Sequence, residues 1–405
     1  MVRKEFKRTG PDFELELENL SILKHLKHPN IIELLGSYTY KKKHNLLFPK
    51  ADFGNLEQLF SSPRPSSLSS NESLVVAFAK LSSALSAVHD FTAKNIAMQK
   101  IGLHHDIKPK NILVTKTSFV LADFGLSRFK DQSQTSGTPF KMGEDYYLAP
   151  ECHDLDGNFE NHIVRRSSDI WSFGCIVAEF ITYLICGSAG VSAFKQARKF
   201  KLESWIYFHF HRGKRNPNPN VSGWLSNLEQ IYSEASPPLD LTACSMLIRL
   251  ARDMLSMAPA DRPRAPEVES RICFIAISIE AHKVAQKLHR VRCRSTPTYV
   301  EAFLQEMRLL SWQRSLQLID DSDELTDVAP SSTPLVKSFT EIINLMHEMN
   351  TILDDALSSD QSPRSNIFLP LRHLITRLLS QLPLDLRKDA DTYLELGILS
   401  SKDGT

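Results

Sequence analysis

The chain has 405 residues, 42% of them apolar and 23% charged, with a net charge of +1. That length allows two or three domains with sizeable cores, and the near-neutral balance gives no electrostatic case for nucleic acid or acidic membranes as partners. Six cysteines stand far apart with no CxxC, which argues against a disulfide framework or a zinc site and for a reducing compartment. The basic start MVRKEFKRTG lacks an apolar segment, so no secretory signal is expected.

In chain order, FELELENLSILKHLKH (13–28) carries apolar positions at helical spacing. Pro29 closes that helix, because the residue before a proline is pushed out of helical geometry. IIELLGSYTY (31–40) and HNLLFPKA (44–51) read as strands joined by the basic turn Lys41-Lys42-Lys43. SSPRPSSLSSNES (61–73) is a Ser/Pro-rich loop, and a long helix runs through ESLVVAFAKLSSALSAVHDF. Short strands follow around 112–114 and 119–121. From about residue 164 the pattern is helical, interrupted by the polar loop HRGKRNPNPN (211–220). The apolar run IWSFGCIVAEFITYLIC (170–186) is marginal in length for a membrane span and contains Glu179, so a buried core helix is expected. Beyond about residue 280, SIEAHKVAQKLHRV, YVEAFLQEMRLLSWQRSLQLI, SFTEIINLMHEMNTILDDAL and LRHLITRLLSQL all have helical periodicity. Strands first and helices after give an α+β class.

The chemistry concentrates in GLHHDIKPKNILV (102–114), where Asp106 is followed by Lys108 and Asn111 just before a strand. A polar turn would explain this stretch alone. Together with LADFGLS (121–127) and YYLAPE (146–151), it resembles the catalytic loop, magnesium loop and activation-segment end of eukaryotic protein kinases. The resemblance implies a bilobal kinase-like fold. Its incomplete N-lobe would occupy 1–50 and its mainly helical C-lobe 51–280, followed by a helical C-terminal extension at 281–405. It also implies ATP and Mg²⁺ as cofactors and a protein substrate. Phosphoryl transfer needs positioning and charge neutralisation more than covalent chemistry. On that likeness Asp106 would orient the substrate hydroxyl or take its proton, and Lys108 would neutralise the transferring group. Asn111 and Asp123 would hold magnesium through hard oxygen ligands. DIKPKN is similar to serine/threonine rather than tyrosine kinases. SSDIWSFGCIVAEF resembles the central C-lobe helix, whose Asp169 would tie down the catalytic loop. DRP (261–263) resembles the segment whose arginine, here Arg262, pairs with Glu151.

LLFPKADFGNLEQL resembles the adenine-binding strand and hinge. Phe48 would be the gatekeeper, with Pro49, Lys50 and Ala51 forming the hinge. Pro49 has no N–H, but this register uses only its carbonyl, and Ala51 would supply the donor. Asn55 is a candidate ribose contact. No Gly-x-Gly-x-x-Gly precedes the hinge. MVRKEF resembles the third N-lobe strand, with Lys4 either the ATP-anchoring lysine or a solvated charge in a basic tail. The position nine before His28 is Asn19, so the partner of Lys4 falls to Glu16, one turn earlier, ahead of Glu18. His105 replaces the usual arginine and, mostly neutral at physiological pH, makes a poor phosphate clamp. Activation through the loop hydroxyls Ser133, Thr135, Ser136 and Thr138 is therefore not expected. The expected function is that of a cytoplasmic or nuclear serine/threonine protein kinase. The alternative is a pseudokinase that keeps the fold and acts by protein binding. The C-terminal helices offer a second route to a protein partner.

Overall fold

The computed structural model describes residues 1–6, 11–41, 43–93, 97–131, 138–139, 146–152, 163–202, 204–213, 216–234, 241–291 and 333–358, with four single positions between 370 and 377. The chain forms two compact units, 1–272 and 273–405.

The first unit opens with a three-stranded antiparallel sheet in the order β1 (Val2–Phe6), β3 (Lys43–Phe48), β2 (Gly36–Tyr40). Lys4 pairs with Leu46 in this register. Helix α1 (Pro11–Leu23) packs beside it, with Phe13 against Phe6 at 5.2 Å and His44 at 4.4 Å between ring centres. The helix stops earlier than the periodicity through residue 28 implies. The expected strand 31–40 is also shortened. Ile31 and Ile32 turn away from β3 and bond to Leu121, so the apolar residues at 31–32 serve the helical body rather than the sheet.

That body is built on α3 (Asn71–His89) and α4 (Arg166–Ala197), the latter broken at Gly187 (φ 65°). Phe78 of α3 stacks on Phe173 and Phe180 of α4 at 5.2 and 4.2 Å. Helix α4 is long and apolar enough to cross a membrane, but 83% of its most apolar window is buried in the protein, as expected of a core helix. A short helix α2 (Leu56–Phe60) begins at Asn55, whose side chain caps it by accepting from the Gln58 N–H. The candidate ribose residue is thus spent on a cap.

Two small sheets carry the loops of interest. Strand β4 (Asp90–Ala93), β5 (Met98–Leu103) and β8 (Arg128–Asp131) form one in that order, and β6 (Ile112–Val114) pairs with β7 (Phe119–Leu121) in the other. The β6–β7 bounds match the sequence expectation. Strands β4, β5 and β8 do not appear in it: DFTA alternates over only four residues and begins inside the helical run expected to reach Phe91, and MQKIGL has no alternation. Two further pairs follow, β9 (Thr138–Pro139) with β10 (Ile163–Val164) and β11 (Phe200–Leu202) with β12 (Trp205–Tyr207). Helices α5 (Pro219–Glu234) and α6 (Leu241–Met254) pack on α4, and α7 (Ala265–Val291) ends the described body.

The unit border at 272/273 lies inside α7, ahead of the boundary expected near 280, and no turn marks it. In the second unit, helix Thr333–Ser358 buries Phe339, Ile343, Met346, Met349 and Leu353 along one face. Lys287 pairs with Asp354 at 2.7 Å. The helices expected at 299–319 and most of 371–382 lie outside the described residues, as do Ser133, Thr135 and Ser136. The five described cysteines are free thiols.

Candidate active site

The β6–β7 hairpin brings two candidate residues side by side. Asn111 precedes β6 and Ala122 follows β7, and the Ala122 N–H donates to the Asn111 carbonyl at 2.9 Å. Asp123, the next residue, is therefore held beside Asn111. Asn111 spends its amide on Asp106, donating to the carbonyl at 2.8 Å and to Oδ2 at 2.7 Å. The other carboxylate oxygen of Asp106 pairs with Lys108 at 2.7 Å. Asp106, Lys108 and Asn111 thus form one hydrogen-bonded cluster.

The N-terminal sheet delivers the rest. Lys4 donates to both oxygens of Glu16, at 2.9 and 2.7 Å, and to Asp123 Oδ1 at 2.8 Å. Lys4 is therefore an ion-paired residue of β1 and not the solvated charge of a basic tail. Its partner is Glu16, buried on α1, while Glu18 is exposed. Asn19 does other work, donating to the carbonyls of Phe124 and Ser127 and pinning α1 to the segment after Asp123. Gly125 completes this approach, since a Cβ there would sit 3.2 Å from Glu16 Oε2.

Electrostatics follow from these contacts. Burial works against the Lys4 charge, but Asp123 and Glu16 outweigh it and raise its pKa. Burial resists the Asp123 charge too, and Lys4 overrides it, holding the carboxyl below its ordinary value. Desolvation pushes Glu16 up in spite of Lys4.

Asp169 anchors the loop from below. It accepts from the N–H groups of His104 and His105 at 2.7 and 2.9 Å and bonds the His89 ring at 3.0 Å. Although burial opposes its charge, the His89 hydrogen bond and the neighbouring histidines hold its carboxyl at about 2. His105 and Asp123 both have left-handed backbones, with φ of 67° and 64°, a conformation costing roughly 1–3 kcal/mol at non-glycine residues. The His105 Nε2 is buried without a hydrogen-bond partner, and burial lowers its pKa. Arg262 clamps Glu151 in a bidentate pair at 2.7 and 2.8 Å, as the likeness implies.

Sequence reasoning missed His104. Its ring bonds the Ala122 carbonyl at 3.1 Å and sits edge-on to Phe124, tying the two loops together. The signal was its place between apolar Leu103 and the run that carries Asp106. At the expected hinge, Phe48 ends β3 and is buried, Pro49 and Lys50 are exposed, and Ala51 is half-buried.

The structure thus pairs a lysine with a helix glutamate and a loop aspartate, and sets an Asp–Lys–Asn cluster just ahead of a hairpin, the arrangement expected from a likeness to protein kinases. A family model described as "Protein kinase domain" matches residues 2–272, and the chain belongs to the protein kinase family. It is 31% identical over 176 residues to MAP3K epsilon protein kinase 1 of Brassica napus, covering 42% of this chain and 12% of that protein. It is 27% identical over 266 residues to human Cyclin-dependent kinase-like 4, covering 62% and 60%. Human serine/threonine-protein kinase Nek5 is 30% identical over 171 residues, covering 42% and 22%. The chain spans less than two thirds of the length of each of these relatives.

Proposed function

We propose that this protein transfers the terminal phosphoryl group of ATP to serine or threonine hydroxyls of a protein substrate. The observation that carries the reading is Lys4 bound at once to Glu16 and Asp123, beside Asp106 held by Lys108 and Asn111.

The donor set fits magnesium. Mg²⁺ prefers hard oxygens and takes only one or two carboxylates, leaving its other positions to phosphates and water. Asp123 offers a half-exposed carboxylate, and Asn111, with its amide N–H groups committed to Asp106, offers its side-chain oxygen. Bound Mg·ATP would supply the activated phosphoryl group and neutralising charge. Lys4 would grip the nucleotide phosphates, with Glu16 fixing its position. Phe48, Pro49 and Ala51 would receive the adenine. Asp106 would orient the acceptor hydroxyl and take its proton, and Lys108, already in contact with that carboxylate, would face the transferring group. The DIKPKN run and the serine/threonine kinase among the relatives support a serine or threonine acceptor. The scattered cysteines support a cytoplasmic or nuclear setting.

The test is steady-state phosphorylation of serine and threonine peptides alongside nucleotide-binding calorimetry. General-base removal costs about 10²–10⁴-fold, so Asp106→Ala should lose transfer on that scale while Mg·ATP binding stays within a few-fold. Wild-type protein that binds Mg·ATP and transfers nothing would make it a pseudokinase.

A further inference from the structure

Hairpin β11–β12 presents apolar side chains to water. Leu202 pairs with Trp205 and Phe200 with Tyr207 across its strands. Side chains alternate along a strand, so these four share one face and Lys201 and Ile206 take the other. On the first face Trp205 is 70% exposed and Leu202 38%. Ring contacts carry this face onward: Phe200 to Tyr207 at 5.5 Å, Tyr207 to His209 at 5.5 Å, and His209 to Tyr146 at 5.3 Å. Tyr146 is itself 38% exposed. The result is a ridge built on a chain of ring contacts from the hairpin to the segment ending in Ala149-Pro150-Glu151, exposed at Leu202, Trp205 and Tyr146 and bridged beneath the surface by the buried His209.

Cations line the ridge. The Arg212 guanidinium lies 5.1 Å from the Phe200 ring centre, and Lys195 lies 5.9 Å from both Tyr146 and Phe208. Between residues 188 and 213 the basic side chains are Lys195, Arg198, Lys199, Lys201 and Arg212, against the single acid Glu203. Arg198 is buried against Glu179; the other four are exposed, Lys195 and Arg212 on the ridge's own rings and Lys201 on the hairpin's other face. Exposed aromatic surface rimmed by one sign of charge marks an interaction site, and aromatic anchors supply most of the affinity of such sites.

We propose that this ridge docks an acidic segment of a protein partner that carries aromatic or aliphatic side chains. The cationic rim matches acidic side chains, while Trp205 and Leu202 match an apolar anchor. A nucleic acid would need a longer cationic track than Lys195 and Arg212 provide, and the chain as a whole carries only +1. Nothing in the proposal depends on phosphoryl transfer.

A phage-displayed library of random peptides, selected on the full chain, tests it. Enriched peptides should be net acidic and contain aromatic residues or leucine. Measured by fluorescence anisotropy, their affinity should fall at least about tenfold in the exposed-face variant L202S/W205S. It should stay within about twofold in I206S on the opposite face, and weaken with added salt. Selection of peptides without an acidic excess, no enrichment at all, or indifference to L202S/W205S would overturn the proposal. So would displacement of the peptide by single-stranded RNA at equal affinity. Sedimentation showing self-association lost in L202S/W205S would assign the ridge to a second copy instead.

Discussion

Lys4 is the hub of the site, because one ammonium answers two carboxylates on different elements. That makes Asp123 the residue whose loss separates metal from nucleotide. A ligand at 100 times its dissociation constant stabilises the fold by about 2.7 kcal/mol. ATP should therefore raise the melting temperature more with Mg²⁺ than with EDTA, and Asp123→Asn should remove the magnesium-dependent part. An equal magnesium effect in the variant would take Asp123 out of the metal site. At this scale the spacing of a motif was enough to anticipate that Asp106, Lys108, Asn111 and Asp123 come together. The sequence was ambiguous for the partner of Lys4, since Glu16, Glu18 and Asn19 differ only in their angle around α1. Three-dimensional contact with Lys4 and the Phe124 carbonyl separated them.

Strand β5 leads into the loop that carries Asp106, and its fit against α3 is tight. A Cβ on Gly102 would lie 2.1 Å from the Val88 carbonyl oxygen, a backbone atom that cannot turn aside. Overpacking costs about 1–3 kcal/mol. Gly102→Ala should lower stability by that amount in urea unfolding and depress peptide phosphorylation, because β5 must shift just before His104. A variant with wild-type stability and rate would show that β5 yields freely. The Arg262–Glu151 clamp joins two distant segments, with the arginine side chain fully buried. Removing one member of a buried pair costs about 3–5 kcal/mol. Arg262→Met should fall in the lower part of that range, since Glu151 retains some solvent access, and a loss below about 1 kcal/mol would place the pair among surface bridges. Strand β4 was hidden from the sequence because its four alternating residues follow α3 without a break, and β5 because MQKIGL does not alternate. The shortening of 31–40 had a similar cause: Ile31 and Ile32 read as strand, yet their burial is against β7.

Over the whole molecule, two buried titrations oppose one another. Burial drives the His28 ring down from 6.5 to about 4. The fold therefore resists its protonation, and stability falls as pH drops from 6.5 towards 4, by up to about 3 kcal/mol. Burial drives Glu269 up from 4.5 to about 7. Here the fold resists ionisation, so stability is complete below pH 4.5 and is lost as pH rises towards 7, by a similar amount of about 3 kcal/mol. Between about pH 4.5 and 6.5 the two slopes should offset one another. Glu269→Gln should raise stability at neutral pH and expose the His28 slope, read as a steeper fall on acidification than wild type shows in urea titrations. Identical pH profiles for the two proteins would remove Glu269 from this balance. The same glutamate gives α7 a further meaning. Because that helix passes unbroken from one packing unit into the other, severing the backbone after Ile272 would create a new helix end in which the carbonyls of Glu269 to Ile272 lose their donors. The negative pole of the shortened helix would then fall on Glu269, a carboxyl that already resists charge. The border between the two units is a division of packing and not of backbone, and the first unit's own last helix is completed by residues assigned to the second.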